Sequence, residues 1–268
     1  MTTAIQELCC HVAGGIELEY ATAGPPDGAP IVLLHGLFDH WRSFTPVMPY
    51  LEDVRAYAVT QRGHTGSTPE PGTIADLAQD AVAFPDAMGI ERATLAGHSL
   101  GALAALQAAT VSPERVDALV LAPGFATANA VPAVHELRHA VSAMGEALDR
   151  EFVEAIQEQA REPHLPDGFF QTMLDATLRM PAAVCRALLD AIVAFDVECD
   201  LARVTAPALL LWGDEDEIVP RAQQDVLAAK LPDADLRILP GCGHTPHWDD
   251  PEGVADALTR FVRRRTVP

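Results

Sequence analysis

Three residue types in this 268-residue chain could together cleave an acyl bond: a serine, a histidine and a carboxylate. Ser99 stands in Gly97-His98-Ser99-Leu100-Gly101, a G-x-S-x-G pentapeptide. An apolar run, Ala93 to Ala96, leads in, and a run rich in alanine and leucine, Ala102 to Thr110, leads out. A strand that reverses sharply into a helix needs very small residues two before and two after the turn, and it leaves the serine hydroxyl exposed. A protonated hydroxyl is a poor nucleophile, so a base must lie within hydrogen-bond reach. Of the ten histidines, His244 follows an apolar run and the glycine-rich Gly241-Cys242-Gly243, a loop able to swing the ring over a sheet edge. An acid to orient that ring is offered by Gly213-Asp214-Glu215-Asp216-Glu217, with Asp214 and Asp216 as the two candidates and the glutamates as a solvated turn. His244-x-x-His247-x-Asp249 is also a conceivable ligand set, but no helix puts the three on one face. No metal and no cofactor are therefore expected, and His247 is expected at the rim.

These groups need a scaffold that brings distant segments together. Residues 8–12 and 16–22 alternate loosely around Gly14-Gly15, the pattern of an edge hairpin. Ile31–Leu34, Ala56–Val59, Ala93–Ala96, Val116–Leu121, Ala208–Trp212 and Asp235–Leu239 are short and almost continuously apolar, as in parallel strands buried on both faces. Between them fall helical stretches: a short one over 43–51, one over 73–88 with Thr73 as N-cap, the run after Ser99, one near 223–230, and a last one with Asp250 as N-cap and Pro251 at its first position. Strand and helix alternate up to Gly124, which predicts an α/β protein with a mostly parallel central sheet flanked by helices. From 125 to 204 the alternation stops. Helices are expected over 131–161, 169–179 and 182–197, separated by Pro163, Pro166-Asp167-Gly168 and Pro181. That stretch is too long for a crossover. The reading is a core of residues 1–124 and 205–268 with an inserted helical cap over 125–204.

In an open α/β sheet, ligands bind at the carboxyl ends of the strands. His35-Gly36, Gln61-Arg62-Gly63-His64, Ser99, Asp214/Asp216 and His244 all fall at such ends. Together with Arg62-Gly63-x-x-Gly66 and Gly213-x-x-Asp216-x-x-x-Pro220, this set resembles the α/β-hydrolase fold family, in its cap-bearing, esterase-like branch. The resemblance spans nearly the whole chain apart from the cap. It implies a triad in the order Ser, Asp, His, met by Ser99, Asp216 and His244. It also implies an oxyanion hole made by two backbone N–H groups, on Leu100 after the nucleophile and on Leu37 after the first buried strand. His35, Gly36 and His98 flank these groups and are assigned to the substrate-contacting wall, with His35 expected to brace its loop rather than react. Where relatives carry Asp before the Arg-Gly pair, this chain has Gln61. A serine at the nucleophile position argues against dehalogenase and epoxide-hydrolase chemistry, which use a carboxylate.

Composition narrows the substrate. Eighteen basic and 38 acidic residues give a formal charge of −20, which repels nucleic acid, anionic membranes and strongly anionic substrates. The C-terminal Arg260, Arg263, Arg264 and Arg265 read as a solvated helix end. Five cysteines, odd in number and without C-x-x-C, suit a reducing compartment. No signal-like N-terminus and no stretch of about 18 apolar residues is seen, so a cytoplasmic location is expected. Phe152, Phe169, Phe170, Phe195, Met144, Met173 and Met180 enrich the cap, and a few of them are expected to line the pocket. The expected function is hydrolysis of a neutral, fairly hydrophobic ester or lactone through an acyl-enzyme, by a monomer or homodimer with a small-molecule substrate. The alternatives are C–C bond hydrolysis, amide cleavage or perhydrolysis on the same triad, or ligand binding without turnover.

Overall fold

A computed structural model describes residues 5–51, 53–157 and 165–266. Its strands are β1 (Gln6–Val12), β2 (Ile16–Ala23), β3 (Ala29–Leu34), β4 (Val54–Val59), β5 (Ala93–Gly97), β6 (Val116–Leu121), β7 (Ala208–Gly213) and β8 (Ala234–Leu239). They form one sheet in the order β1-β2-β4-β3-β5-β6-β7-β8. β1 pairs antiparallel with β2, and β2 with β4; every other pairing is parallel. Successive residues of a strand face opposite sides, and both sides are covered. Val32 and Leu34 join one core, while Ile31 and Leu33 join the other.

On the first face lie α1 (Ile74–Ala87), α2 (Leu100–Val111) and α7 (Arg221–Lys230). Thr73 caps α1, as expected from the sequence, and a reciprocal bond with Asp76 completes a capping box. α2 is buried on nearly all sides, which accounts for its alanines: small residues let the helix approach the sheet closely. On the second face lie Trp41, Phe44, Met48 and α9 (Pro251–Thr266).

Residues 43–51 depart from the helix expected there. They fold as two 3₁₀ turns, Trp41–Phe44 and Met48–Tyr50. Pro46 and Pro49 supply no N–H for an α-helical ladder, so the segment closes its turns separately.

Between β6 and β7 come α3 (Pro132–Ser142), α4 (Arg150–Gln157), α5 (Phe169–Leu178) and α6 (Ala182–Val193). The single helix expected over 131–161 is broken between 143 and 149, around Gly145; its far end and Pro163 lie outside the described residues. α6 stops short of Val197 because the chain turns into extended pairing there. Val197 N donates to Ala126 O at 2.9 Å, and Thr127 bridges Asp196. The two ends of the helical segment are thus tied together. Gln224 of α7 adds a bond to Gly124 O at 2.7 Å.

Candidate active site

Ser99 occupies the turn between β5 and α2 with φ of +49°, and it is the one non-glycine with positive φ among the described residues. For a residue with a side chain this conformation is strained, and such strain gathers at functional positions. The glycines around it are sterically required. A Cβ on Gly97 would overlap the Gly101 carbonyl, and one on Gly101 would overlap the Leu34 carbonyl. The strand end and helix start therefore touch through backbone alone. Ala102 is accommodated against Gly124.

His244 lies between β8 and a short helix, α8 (Pro246–Asp249). Its Nδ1 lies 3.1 Å from both Asp216 carboxylate oxygens. The Asp216 side chain is wholly buried and also accepts from the amides of Ile218 at 2.8 Å and Val219 at 3.0 Å. Burial pushes its carboxyl up, but the charge and hydrogen bond of His244 and those two amides prevail and hold it below the ordinary value. Asp214, the other carboxylate weighed for this role, instead accepts from Gly241 N at 2.7 Å and shapes the histidine loop. With Nδ1 committed to Asp216, the Nε2 of His244 is left for the cavity that His244 and Ser99 share. Among the described residues the Ser99 hydroxyl has no protein partner within hydrogen-bond distance; such links commonly tighten only when substrate binds.

That cavity, about 100 Å³, lies between the strand ends and the helices after β6. Leu37 and Leu100 line it, and among the described residues their amides donate to no protein acceptor. They are available to a developing negative oxygen. The peptide carrying the Leu37 N–H is held by His35, whose Nδ1 donates to Gly36 O at 2.7 Å. His35 Nε2 in turn accepts from Gln61 N at 3.0 Å, and the Gln61 amide donates to His35 O at 2.7 Å. Gln61 thus has a bracing role that a carboxylate, with no N–H to donate, could not fill. Burial drives the His35 pKa well below the ordinary histidine value, which suits a neutral ring accepting at Nε2. His35 is fully buried and does not reach the cavity, so its assignment to the substrate wall is corrected to bracing. Gly36 and His98 do line the cavity. His98 bridges Asp39, with Nδ1 at 3.2 Å from Oδ2, and the His244 backbone, with Nε2 at 3.0 Å from the carbonyl.

His247 is not a rim residue. α8 turns it inward, 2% exposed, with Nε2 at 2.9 Å from Ser43 Oγ and its ring on Phe44 and His98. Burial lowers its pKa well below the usual value. Asp39, His98 and His247 place one donor atom each within 4.8 Å of one another. Both His98 nitrogens already meet acceptors, so the cluster fits a hydrogen-bonded support under the serine turn better than a metal cage.

The helices after β6 contribute a mainly aliphatic wall, Val134 and Leu137 of α3, Ile156 of α4, Leu189 and Ile192 of α6, beside Gln157 of α4. Phe38 and Phe125 add rings, and Asp39 and Thr245 add polar edges. The aromatic and methionine side chains expected there pack elsewhere. Phe169 and Phe170 close on Trp248, Phe152 on Phe38 and Phe195 on Phe125. These rings pack behind Phe38, Phe125 and Trp248, and it is those partners that face the cavity. Trp248 lines the cavity, and sequence reasoning missed it. The available signal was its place four residues after His244.

The sequence profile of the alpha/beta hydrolase family matches residues 31–257. A protein of Variovorax paradoxus bearing the name of a carbamate hydrolase, RutD, is 33% identical over 94% of this chain and 98% of its own length. A pimeloyl-[acyl-carrier protein] methyl ester esterase of Edwardsiella ictaluri is 30% identical over 88% of this chain and 94% of its own. A crystal structure of a hydrolase from Pseudomonas aeruginosa superposes with a TM-score of 0.84 at 22% identity, covering 96% of this chain and 98% of that one, a likeness of fold.

Proposed function

The chain belongs to the alpha/beta hydrolase family, and from that premise we propose that it is a serine hydrolase of neutral, fairly hydrophobic carboxylic esters or lactones. One observation carries the reading. The strained Ser99 turn, the Asp216-backed His244 and two free amides converge on one mostly apolar cavity, lined among the described residues by no lysine or arginine. Ser99 Oγ attacks the acyl carbon as His244 Nε2 takes its proton. The Leu37 and Leu100 amides hold the oxyanion, and His244 returns the proton to the departing alcohol. Water, activated by the same ring, then releases the acid. The helices of 125–204 act as a cap that excludes water and shapes the acyl site.

The lack of a cation among the described lining residues speaks against anionic dienoates. Arg62, the nearest basic candidate on sequence, is held by Asp80 through two bonds of 2.5 Å. The test is hydrolysis of p-nitrophenyl esters of graded chain length beside a lactone, an aryl carbamate and a dienoate. The wild type is expected to favour ester or lactone, and Ser99→Ala to lose that activity. Hydrolysis at the wild-type rate in Ser99→Ala would sink the reading. Faster turnover of the carbamate would move the reaction to the chemistry named for the Variovorax relative.

A further inference from the structure

Three consecutive carbonyls follow the first buried strand, and each accepts a hydrogen bond. Gly36 O accepts from His35 Nδ1 at 2.7 Å. Leu37 O lies 2.8 Å from His64 Nε2. Phe38 O accepts from Gln157 Nε2 at 3.1 Å and from Thr177 Oγ1 at 2.7 Å. The first two holders, His35 and His64, lie in the loops after β3 and β4. The third pair comes from α4 and α5, 119 and 139 residues away in sequence.

We propose that Gln157 and Thr177 are positioning residues for the Leu37 amide, so that the helices after β6 complete the oxyanion loop as well as cover the cavity. The inference rests on the serine-hydrolase reading above and adds a role for the cap within it.

The polar groups are buried: Gln157 is 5% exposed and Thr177 2%. They form a closed set. Gln157 Nε2 also donates to Thr177 Oγ1 at 3.1 Å, so both amide hydrogens are used. The Thr177 proton has a second acceptor in its own helix, Met173 O at 3.0 Å, but the loop carbonyl is nearer. Phe152 of α4 sets its ring edge-on to Phe38, a second tie at the same residue. If α4 and α5 withdrew, Phe38 O would lose both of its partners among the described residues, and its side chain that aromatic contact. A loop free to rotate at Phe38 no longer holds the preceding N–H ready for the oxyanion, and such a donor works only when it needs no reorganisation.

The experiment compares Thr177→Val, which keeps the shape and removes the hydroxyl, with Thr177→Ser, which keeps the hydroxyl. Three readouts are taken: kcat and KM on p-nitrophenyl butyrate, the rate at which a fluorophosphonate labels Ser99, and inhibition by two ketones. A trifluoromethyl ketone forms an oxyanion in the hole, whereas the matching methyl ketone reads binding alone. For Thr177→Val, kcat and labelling should fall about tenfold, less than the ~100-fold typical for losing a hole donor outright. KM should hold, and only the trifluoromethyl ketone should weaken. Thr177→Ser should restore most of the rate. Gln157→Met, read by the ratio of the two ketones, tests the second donor if Thr177→Val folds poorly. Wild-type kcat and ketone ratio in Thr177→Val, or equal losses in Thr177→Ser, would overturn the assignment. A wild type that is neither labelled at Ser99 nor active would instead fell the serine-hydrolase reading, and this inference with it.

Discussion

Asp216 is the residue whose role depends most on its surroundings. A carboxylate in an acidic turn is ordinarily solvated, yet this one is buried and accepts from two amides and a histidine. Buried and paired, it can hold one tautomer of His244 and stabilise the ring once charged. Asp216→Asn should therefore lower kcat by roughly 1,000-fold or more with little change in KM. Steady-state kinetics on the preferred ester checks this, and activity within tenfold of wild type would place the acid elsewhere. His35 makes the complementary point. It carries the same side chain as His244 and also follows a strand, but both its nitrogens are spent on backbone partners. Type and position along the chain bring both histidines to the site. Only their partners separate a ring that can exchange protons with substrate from one that holds a peptide in place.

At the scale of elements, the junction of β5 and α2 is the most constrained feature. Its two glycines leave no room for a methyl group, and the overlap would be with backbone, which cannot swing aside. Gly101→Ala should cost more than the ~1–3 kcal/mol usual for overpacking a core. A large fall in melting temperature, or loss of soluble protein, is the expected readout; a melting curve matching the wild type would show that the helix can slide outward. The same junction was legible in sequence because steric exclusion leaves a mark in residue type. The 3₁₀ turns near residue 44 and the break after Ser142 were less legible. There the choice between helix and turn depends on what the segment packs against, and apolar periodicity alone does not carry it.

Across the whole molecule, burial of histidine sets a response to acid. Burial lowers the pKa of His35, His64 and His247 below the ordinary histidine value. Below about pH 6.5 the unfolded chain then binds more protons than the folded one, so stability should fall as the pH falls. Each of these histidines contributes a slope of up to about 1.4 kcal/mol per pH unit between its unfolded and folded pKa values. Urea unfolding at pH 7.5, 6.5 and 5.5 should show the decline, and His247→Asn should remove one share of the slope. A flat profile would contradict neutral burial. Asp39 and Asp216, both held below the ordinary aspartate value, add their loss only at lower pH, as it falls through their folded pKa values. No helix among the described residues is long and apolar enough to cross a membrane.

The sequence alone determined the sheet-and-helix alternation, the serine turn and the family. These rest on local rules: apolar runs for buried strands, tiny residues where backbones touch, caps where helices start. The spacing of the family motif pointed to Asp216; tertiary structure decided what that carboxylate accepts, that His35 and His247 are turned away from the cavity, and that the helices after β6 face it mainly with aliphatic side chains. It also decided that Phe38 is held from two helices more than a hundred residues on. Each of those outcomes is a competition among partners that meet only after folding, and spacing along a chain does not record who wins it. Ser99 was conspicuous in sequence because its turn excludes almost every other neighbour. The supports of its site were not, because many residues can donate one hydrogen bond.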